Sequence, residues 1–120
     1  MAGFRVGSDE VAATAWVNFN GAGGGIRDSF NVSSIADGTP AGEHVVNFAT
    51  TMGNANYCVT TAVGWVANGN GPNASVNIHR YSSTGNESAP STGGFRVGAA
   101  SNTGTSADMA HMNVAVFGGI

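Results

Sequence analysis

Apolar and polar residues alternate along several short segments of this 120-residue chain, which is the pattern of strands with one apolar face. Segment 15–20 shows the pattern clearly, because its two alternating sets are Ala15, Val17 and Phe19 against Trp16, Asn18 and Asn20. The glycine-rich segment 21–25 then ends the strand, since glycine adopts the positive φ angles of tight turns at little steric cost.

The same pattern predicts further strands, separated by loops rich in Gly, Asn and Ser. They span residues 26–35, 44–50, 57–66, 76–80, 94–98 and 111–117. In segment 57–66 one side carries Tyr57, Val59, Thr61, Val63 and Trp65. Short strands with glycine-rich turns are typical of all-β folds. We therefore predict an antiparallel β-sandwich or jelly-roll-like domain of about seven or eight short strands over residues 14–120. An N-terminal arm over residues 1–13 precedes it.

Composition excludes several classes of protein. The chain lacks Lys, Leu and Gln, so ordinary helix formers are scarce and a helical bundle is not expected. Its four basic residues are all Arg and face seven carboxylates, which leaves no basic patch for nucleic acid. The sequence predicts no membrane insertion, because no apolar run is long enough to span a bilayer, and no signal peptide is expected from the polar first five residues. Since only 9% of residues are charged, a homo-oligomer or a part of a larger assembly is favoured.

The residues that carry chemistry in enzymes are scattered along this chain. His44, His79 and His111 fall on three predicted strands without the local spacing of metal ligands, and we expect them at a surface or an interface. No two carboxylates are placed for acid–base catalysis. Cys58, the single cysteine, lies in an apolar run and is predicted to be buried. We predict that the protein is not an enzyme and has no catalytic residue, cofactor or metal.

Two further features leave alternatives open. The aromatic residues Trp16, Tyr57, Trp65 and Tyr81 are expected to be core or interface anchors, and the alternative is a lectin-like site in which they stack on sugar rings. The pentapeptide Gly-Phe-Arg-Val-Gly occurs at residues 3–7 and again at 94–98. Two copies do not make a repeat architecture, so the echo reflects either chance or pairing of equivalent segments between subunits.

Several segments together resemble a known family. They are Ala-Trp-Val-Asn-Phe-Asn-Gly at 15–21, Ile-Arg-Asp-Ser-Phe-Asn-Val-Ser-Ser-Ile at 26–35, Val-Val-Asn-Phe-Ala-Thr-Thr-Met at 45–52, Asn-Ala-Asn-Tyr-Cys-Val at 54–59, Phe-Arg-Val at 95–97 and Asn-Val-Ala-Val-Phe at 113–117. This pattern is similar to a small β domain of tailed bacteriophages and prophages, which commonly forms the C-terminal part of tail fibre proteins. The resemblance spans about residues 14–118, with a looser middle over 60–92, and it implies no catalytic residues.

The resemblance implies a virion protein, and the short N-terminal segment suggests its place. Because only about 13 residues precede the domain, where fibre proteins carry a long shaft, we expect a homotrimeric capsid cement (decoration) protein that holds major capsid proteins together. The alternative is a tail fibre tip that recognises a host surface receptor or glycan through loops 68–73, 82–93 and 99–108. A cellular carbohydrate-binding module is a third hypothesis.

The candidate subunit or capsid contacts lie in the arm and on the first two strands of the domain. They are Phe4, Arg5, Val6, Trp16 and Arg27. The arm is expected to add a strand to a neighbouring chain. Arg27 is expected to reach a carboxylate on another strand or subunit, because neighbouring residues on a strand, such as Arg27 and Asp28, point to opposite faces.

Overall fold

The computed structural model describes residues 4–6, 9–23, 25–37, 42–64, 75–78, 89–100 and 108–120. These residues form ten strands and no helix. In chain order the strands are β1 (Phe4–Val6), β2 (Asp9–Val11), β3 (Ala15–Asn20), β4 (Gly25–Phe30), β5 (Val32–Asp37), β6 (Glu43–Phe48), β7 (Tyr57–Val63), β8 (Ser75–Ile78), β9 (Gly94–Ala100) and β10 (Met112–Gly118).

Eight of these strands form two antiparallel sheets of four strands each. Sheet I has the order β4-β3-β10-β7, and sheet II has the order β5-β6-β9-β8. The remaining strands, β1 and β2, pair with each other. Side chains of the two sheets meet in the interior, where the Phe19 ring on β3 lies 5.3 Å from the His44 ring on β6. The predicted all-β, antiparallel sandwich is therefore confirmed.

The core is built from the alternate residues of the central strands. On β3 the residues Ala15, Val17 and Phe19 are at most 2% exposed, as the alternation along the sequence indicates. The other buried apolar residues are Val32, Val46, Phe48, Met52, Phe95, Val97, Ala99, Met109, Met112, Val114 and Val116. Because full burial of a Val, Phe or Met side chain contributes about 1.5–3 kcal/mol, this interior is the main source of stability.

Three aromatic rings pack together where β7 of sheet I meets sheet II. The Phe48 ring lies 5.5 Å from the Tyr57 ring in an edge-on arrangement and 5.7 Å from the Phe95 ring. The Tyr57 hydroxyl lies 2.9 Å from the Ser91 carbonyl oxygen and 3.1 Å from that of Gly94. Tyr57 is thus a core anchor, as expected. Burial raises the pKa of its phenol, and the hydrogen bond to Ser91 opposes that rise.

The prediction of one strand over residues 26–35 is wrong, because the chain turns a corner at Asn31. This residue has a φ of 52° and separates β4 in sheet I from β5 in sheet II. Asn tolerates the left-handed conformation better than most residues. Its side chain also connects the segment before β3 to the segment after β6. Nδ2 donates to the carbonyl oxygens of Thr14 and Thr50, and Oδ1 accepts from the Thr50 amide at 2.7 Å. Phe30 and Val32 therefore lie on different surfaces, one exposed and one buried.

Candidate interaction surface

The outward side of sheet I presents several large apolar residues in one plane. The cross-strand register places Phe30, Trp16, Ala115 and Thr60 in one row, and Asp28, Asn18, Asn113 and Ala62 in the next. Phe117 and Cys58 form a third row on the other side of the first. We call these ten residues the aromatic face.

Three of the ten residues of the aromatic face are large and apolar, namely Trp16, Phe30 and Phe117. Phe30 is 54% exposed and Phe117 is 40% exposed, while Trp16, in the same row as Phe30, is half-buried. Single exposed apolar residues are common on proteins, whereas here three large apolar residues lie in two neighbouring rows of one sheet surface, which makes this face a candidate interaction surface. This arrangement follows from the alternation on β3, because the residues between the buried ones must point outward.

A shallow groove of about 350 Å³ runs across this face. Its lining includes Trp16, Asn18, Thr60, Asn113 and Ala115. The Asn18 side chain donates a hydrogen bond from Nδ2 to Oδ1 of Asn113, so the two amides form a fixed polar strip beside the Trp16 ring. Asp28 is the one charged residue of the ten. The face therefore suits a neutral partner surface that buries apolar area and meets a few amide groups.

The predicted contact residues are not all brought together. Trp16 lies on the aromatic face, in the row that also holds Phe30, Ala115 and Thr60. Arg27 is the extra residue of an irregularity in the β3–β4 ladder, and it donates from Nη2 to the Ala110 carbonyl oxygen at 2.6 Å. Its partner in the described chain is a carbonyl rather than the expected carboxylate. Phe4, Arg5 and Val6 form β1, which the structure describes through its backbone pairing with β2.

The prediction that Cys58 is buried is wrong. Cys58 is exposed and lies opposite Phe117 on the aromatic face. The apolar character of the surrounding run suggested burial, but the position within the strand decides the direction of the side chain. Tyr57, Val59 and Val63 point towards the core, so Cys58 between the first two must point away from it.

Two buried ionisable residues on β6 were not identified as a site from the sequence. Glu43 and His44 are each 2% exposed and point to opposite sides of sheet II. Arg96 Nη1 donates to Glu43 Oε1. The His44 Nδ1 atom lies 3.4 Å from Asp37 Oδ1, and its Nε2 atom lies 4.0 Å from Asp108 Oδ1.

The surface or interface location expected for the histidines is wrong for His44, which is buried in the interior of the domain. The sequence does indicate this burial, since His44 lies on the same side of its strand as Val46 and Phe48, which are buried. Glu43 had no such signal, because it lies on the outward side of sheet II. His111 is exposed. His79, Trp65, Tyr81 and loop 68–73 lie outside the described residues, as does most of loops 82–93 and 99–108.

The described residues show little further chemistry. Among the described residues no group of three or more His, Cys, Asp and Glu side chains is placed to hold a metal ion. The same residues include no helix of the length and apolarity needed to cross a membrane. Comparison with known protein families, curated proteins and solved structures finds no match to this chain.

Proposed function

We propose that this protein is a structural component of a tailed-bacteriophage virion, and specifically a homotrimeric capsid cement protein. The observation that supports the proposal best is the aromatic face, because Trp16, Phe30 and Phe117 lie on one sheet surface and Asp28 is the one charged residue among the ten that define it. A surface of this kind is suited to permanent contacts between protein subunits, whose centres are apolar and poor in charge.

In this proposal the aromatic face is the contact between the subunits of the trimer. Burying apolar surface contributes about 25 cal/mol per Å², so the exposed parts of Phe30 and Phe117 together supply a useful share of the association energy. The aromatic face lies on the hydrogen-bonded strands of sheet I, so its backbone is already ordered before binding, which limits the entropy lost on association. A trimer that binds only the expanded capsid lattice then stabilises that lattice by mass action.

The amount of this chain in purified virions tests the proposal. Quantitative mass spectrometry would compare the copy number of the chain with that of the major capsid protein. A ratio near one to one supports a cement protein on the head. A ratio of a few per cent overturns that role and indicates the tail fibre tip instead. Absence of the chain from virions overturns both roles and leaves the carbohydrate-binding module. Light scattering of the purified protein separately tests the trimer.

A further inference from the structure

We propose that the free edge of β7 accepts the N-terminal strand pair, β1 and β2, of a neighbouring copy of this chain. β7 is an edge strand of sheet I, and within the described chain its backbone pairs with β10 alone. In the same described residues β1 and β2 pair with each other and join neither four-stranded sheet. One chain thus holds both a sheet edge without a strand and a pair of strands without a sheet.

The backbone of β7 presents hydrogen-bonding groups along its free edge. Bonded and non-bonded residue pairs alternate along an antiparallel ladder. The Gly64 amide donates to the His111 carbonyl oxygen at 2.8 Å, so every second residue back from Gly64 is also bonded to β10. The residues between them direct their N–H and C=O groups away from β10, where no described backbone group meets them: Tyr57, Val59, Thr61 and Val63. An added strand satisfies these groups.

β7 lacks the features with which the other described edge strands block strand addition. Its residues, Tyr57–Val63, include no charge and no proline, and their register with β10 is unbroken. Edge strand β4 is irregular at Arg27, and its Ser29 amide already donates to the Asp28 carboxylate at 2.9 Å. Edge strand β5 is also irregular and ends in Asp37, and β8 is four residues long. β7 is therefore the edge best suited to accept a strand.

The strand pair needs a partner, because two strands of three residues each are marginally stable alone. Its own β7 is out of reach. Thr14 is fixed at the end of β10, where its amide donates to the Val116 carbonyl oxygen at 2.8 Å and its hydroxyl donates to that of Gly118 at 2.9 Å. The three Cα steps from Val11, the last residue of β2, to Thr14 span about 11 Å at most. A strand added to β7 lies three strand spacings from β3, about 14 Å away. The strand pair therefore fills this edge only in another copy.

Docking of this kind joins copies head to tail, because each copy gives its strand pair to one neighbour and receives another from a second. Contacts between two different surfaces close into rings, which include trimers. The exposed residues of β7, namely Cys58, Thr60 and Ala62, belong to the aromatic face. The added strand therefore continues the subunit contact of the proposed function, and this inference rests on that association and names one of its contacts.

Amide hydrogen exchange, followed by NMR of the full chain at an associating concentration, tests the docking. The edge amides are those of Val59, Thr61 and Val63. They should exchange at least about tenfold more slowly in the wild type than in Arg5→Pro/Glu10→Pro, because prolines at two paired positions interrupt β1 and β2. The double substitution removes one positive and one negative charge, so the net charge is unchanged.

Two controls accompany this comparison. Ala2→Pro/Ala12→Pro places its prolines before β1 and after β2, and its edge amides should exchange as slowly as those of the wild type. The ladder amides of Cys58, Thr60 and Ala62, which are bonded to β10, should be slow in all three chains.

A mixing experiment shows whether the strand pair comes from another copy. Isotopically labelled Arg5→Pro/Glu10→Pro is refolded together with an excess of unlabelled wild type. Its edge amides should regain slow exchange, because the wild type supplies the intact strand pair. A labelled chain that gains no protection overturns the proposal.

Equal exchange of the edge amides in the wild type and in Arg5→Pro/Glu10→Pro also overturns it. If that variant does not fold, the wild type decides alone, since edge amides that exchange much faster than the ladder amides refute docking. Sedimentation equilibrium of the same samples separates this inference from the proposed function. A trimer with fast edge amides refutes the docking alone, and another oligomer with slow edge amides refutes the trimer alone. A monomer with fast edge amides overturns both.

Discussion

Arg96 and Glu43 form an ion pair on the outward side of sheet II, in which the two partners differ greatly in exposure. The Glu43 side chain is 1% exposed, whereas that of Arg96 is 31% exposed. One carboxylate oxygen accepts from Arg96, and the other, Oε2, is buried without a hydrogen-bond partner among the residues that the structure describes. The guanidinium is therefore the described group that compensates a buried negative charge.

Removing the arginine should be costly for this reason. Arg96→Met keeps much of the apolar stem but leaves the Glu43 carboxylate unpaired, and we expect a loss of about 3 kcal/mol in the free energy of unfolding. Urea denaturation measures it. Adding Glu43→Gln removes the buried charge and should recover part of the loss. The control Arg27→Met removes an arginine that donates to a carbonyl at an exposed position and should cost less than about 1 kcal/mol. Equal losses in the two arginine variants would contradict this account.

Asn31 should be more important for stability than an exposed turn residue usually is. Asn31→Ala loses the hydrogen bonds to Thr14 and Thr50 and keeps an unfavourable positive φ, so we expect a loss of about 2–4 kcal/mol. Asn31→Gly loses the same bonds but adopts the φ freely, and it should be more stable than the alanine variant by about 1 kcal/mol. Thermal unfolding of both variants checks this order, and an alanine variant as stable as the glycine variant would refute the role of φ.

Gly94 and its neighbour Gly93 offer a matched pair. A Cβ atom at Gly94 would lie 2.2 Å from the Val46 carbonyl oxygen, which is closer than any real contact. Gly94→Ala must push β9 away from β6, and we expect a loss of about 1–3 kcal/mol or more. At Gly93 the nearest atom would be Ser91 Oγ at 3.8 Å, so Gly93→Ala should change stability by about 0.5 kcal/mol or less. Similar unfolding midpoints for the two variants would show that β9 adjusts without cost.

The raised pKa of Tyr57 predicts sensitivity to alkali. The pKa of the Tyr57 phenol is higher in the folded chain than its ordinary value of 10.0. The neutral phenol therefore stabilises the folded state, and this contribution to the free energy of unfolding is complete below pH 10.0. It is lost as the pH rises through the pKa of the folded protein. Tyr57→Phe should flatten the decline in stability above pH 10.0, although it also loses the hydroxyl hydrogen bond at neutral pH. Tyr81→Phe serves as the comparison, because Tyr57 and Tyr81 are the two tyrosines of the chain.

The aromatic face yields a prediction about association. Phe30→Ser removes a side chain that is 54% exposed, so the monomer should lose less than about 1 kcal/mol in stability, while the proposed trimer should dissociate. Sedimentation equilibrium measures the change. Ile120→Ser is the matched control, because Ile120 is 94% exposed but lies beyond the end of β10. A Phe30→Ser protein that remains trimeric would place the subunit contact elsewhere.

Strand alternation predicted the central parts of the sandwich because it reports which side chains share a face. Ala15, Val17 and Phe19 are buried as their spacing indicates, and Val46 and Phe48 follow the same rule. Trp16 could be placed on the outward side of its strand on the same grounds. The aromatic face as a whole could not be predicted, because it depends on which strands become neighbours in the sheet. Phe30 and Phe117 lie far apart in the sequence, and only the pairing of β3 with β4 and with β10 brings them to one surface.

The errors arise where a distant contact overrides the local pattern. The corner at Asn31 depends on Thr14 and Thr50, which lie 17 and 19 residues away along the chain. The pairing of Glu43 with Arg96 joins residues separated by 53 positions. Neither contact leaves a mark in the spacing of nearby residues. Cys58 differs, because the alternation along its strand already indicates an outward side chain. The apolar composition of its surroundings alone suggested burial.

The exposed thiol of Cys58 provides a natural site for chemical labelling. As the single cysteine of the chain, it can carry one spectroscopic label at a known position without any substitution. That position is directly opposite Phe117, within the surface proposed to bind a neighbouring subunit. The rate at which a water-soluble thiol reagent modifies Cys58 therefore measures how often this surface is uncovered. The same measurement applies to the purified protein and to the proposed virion.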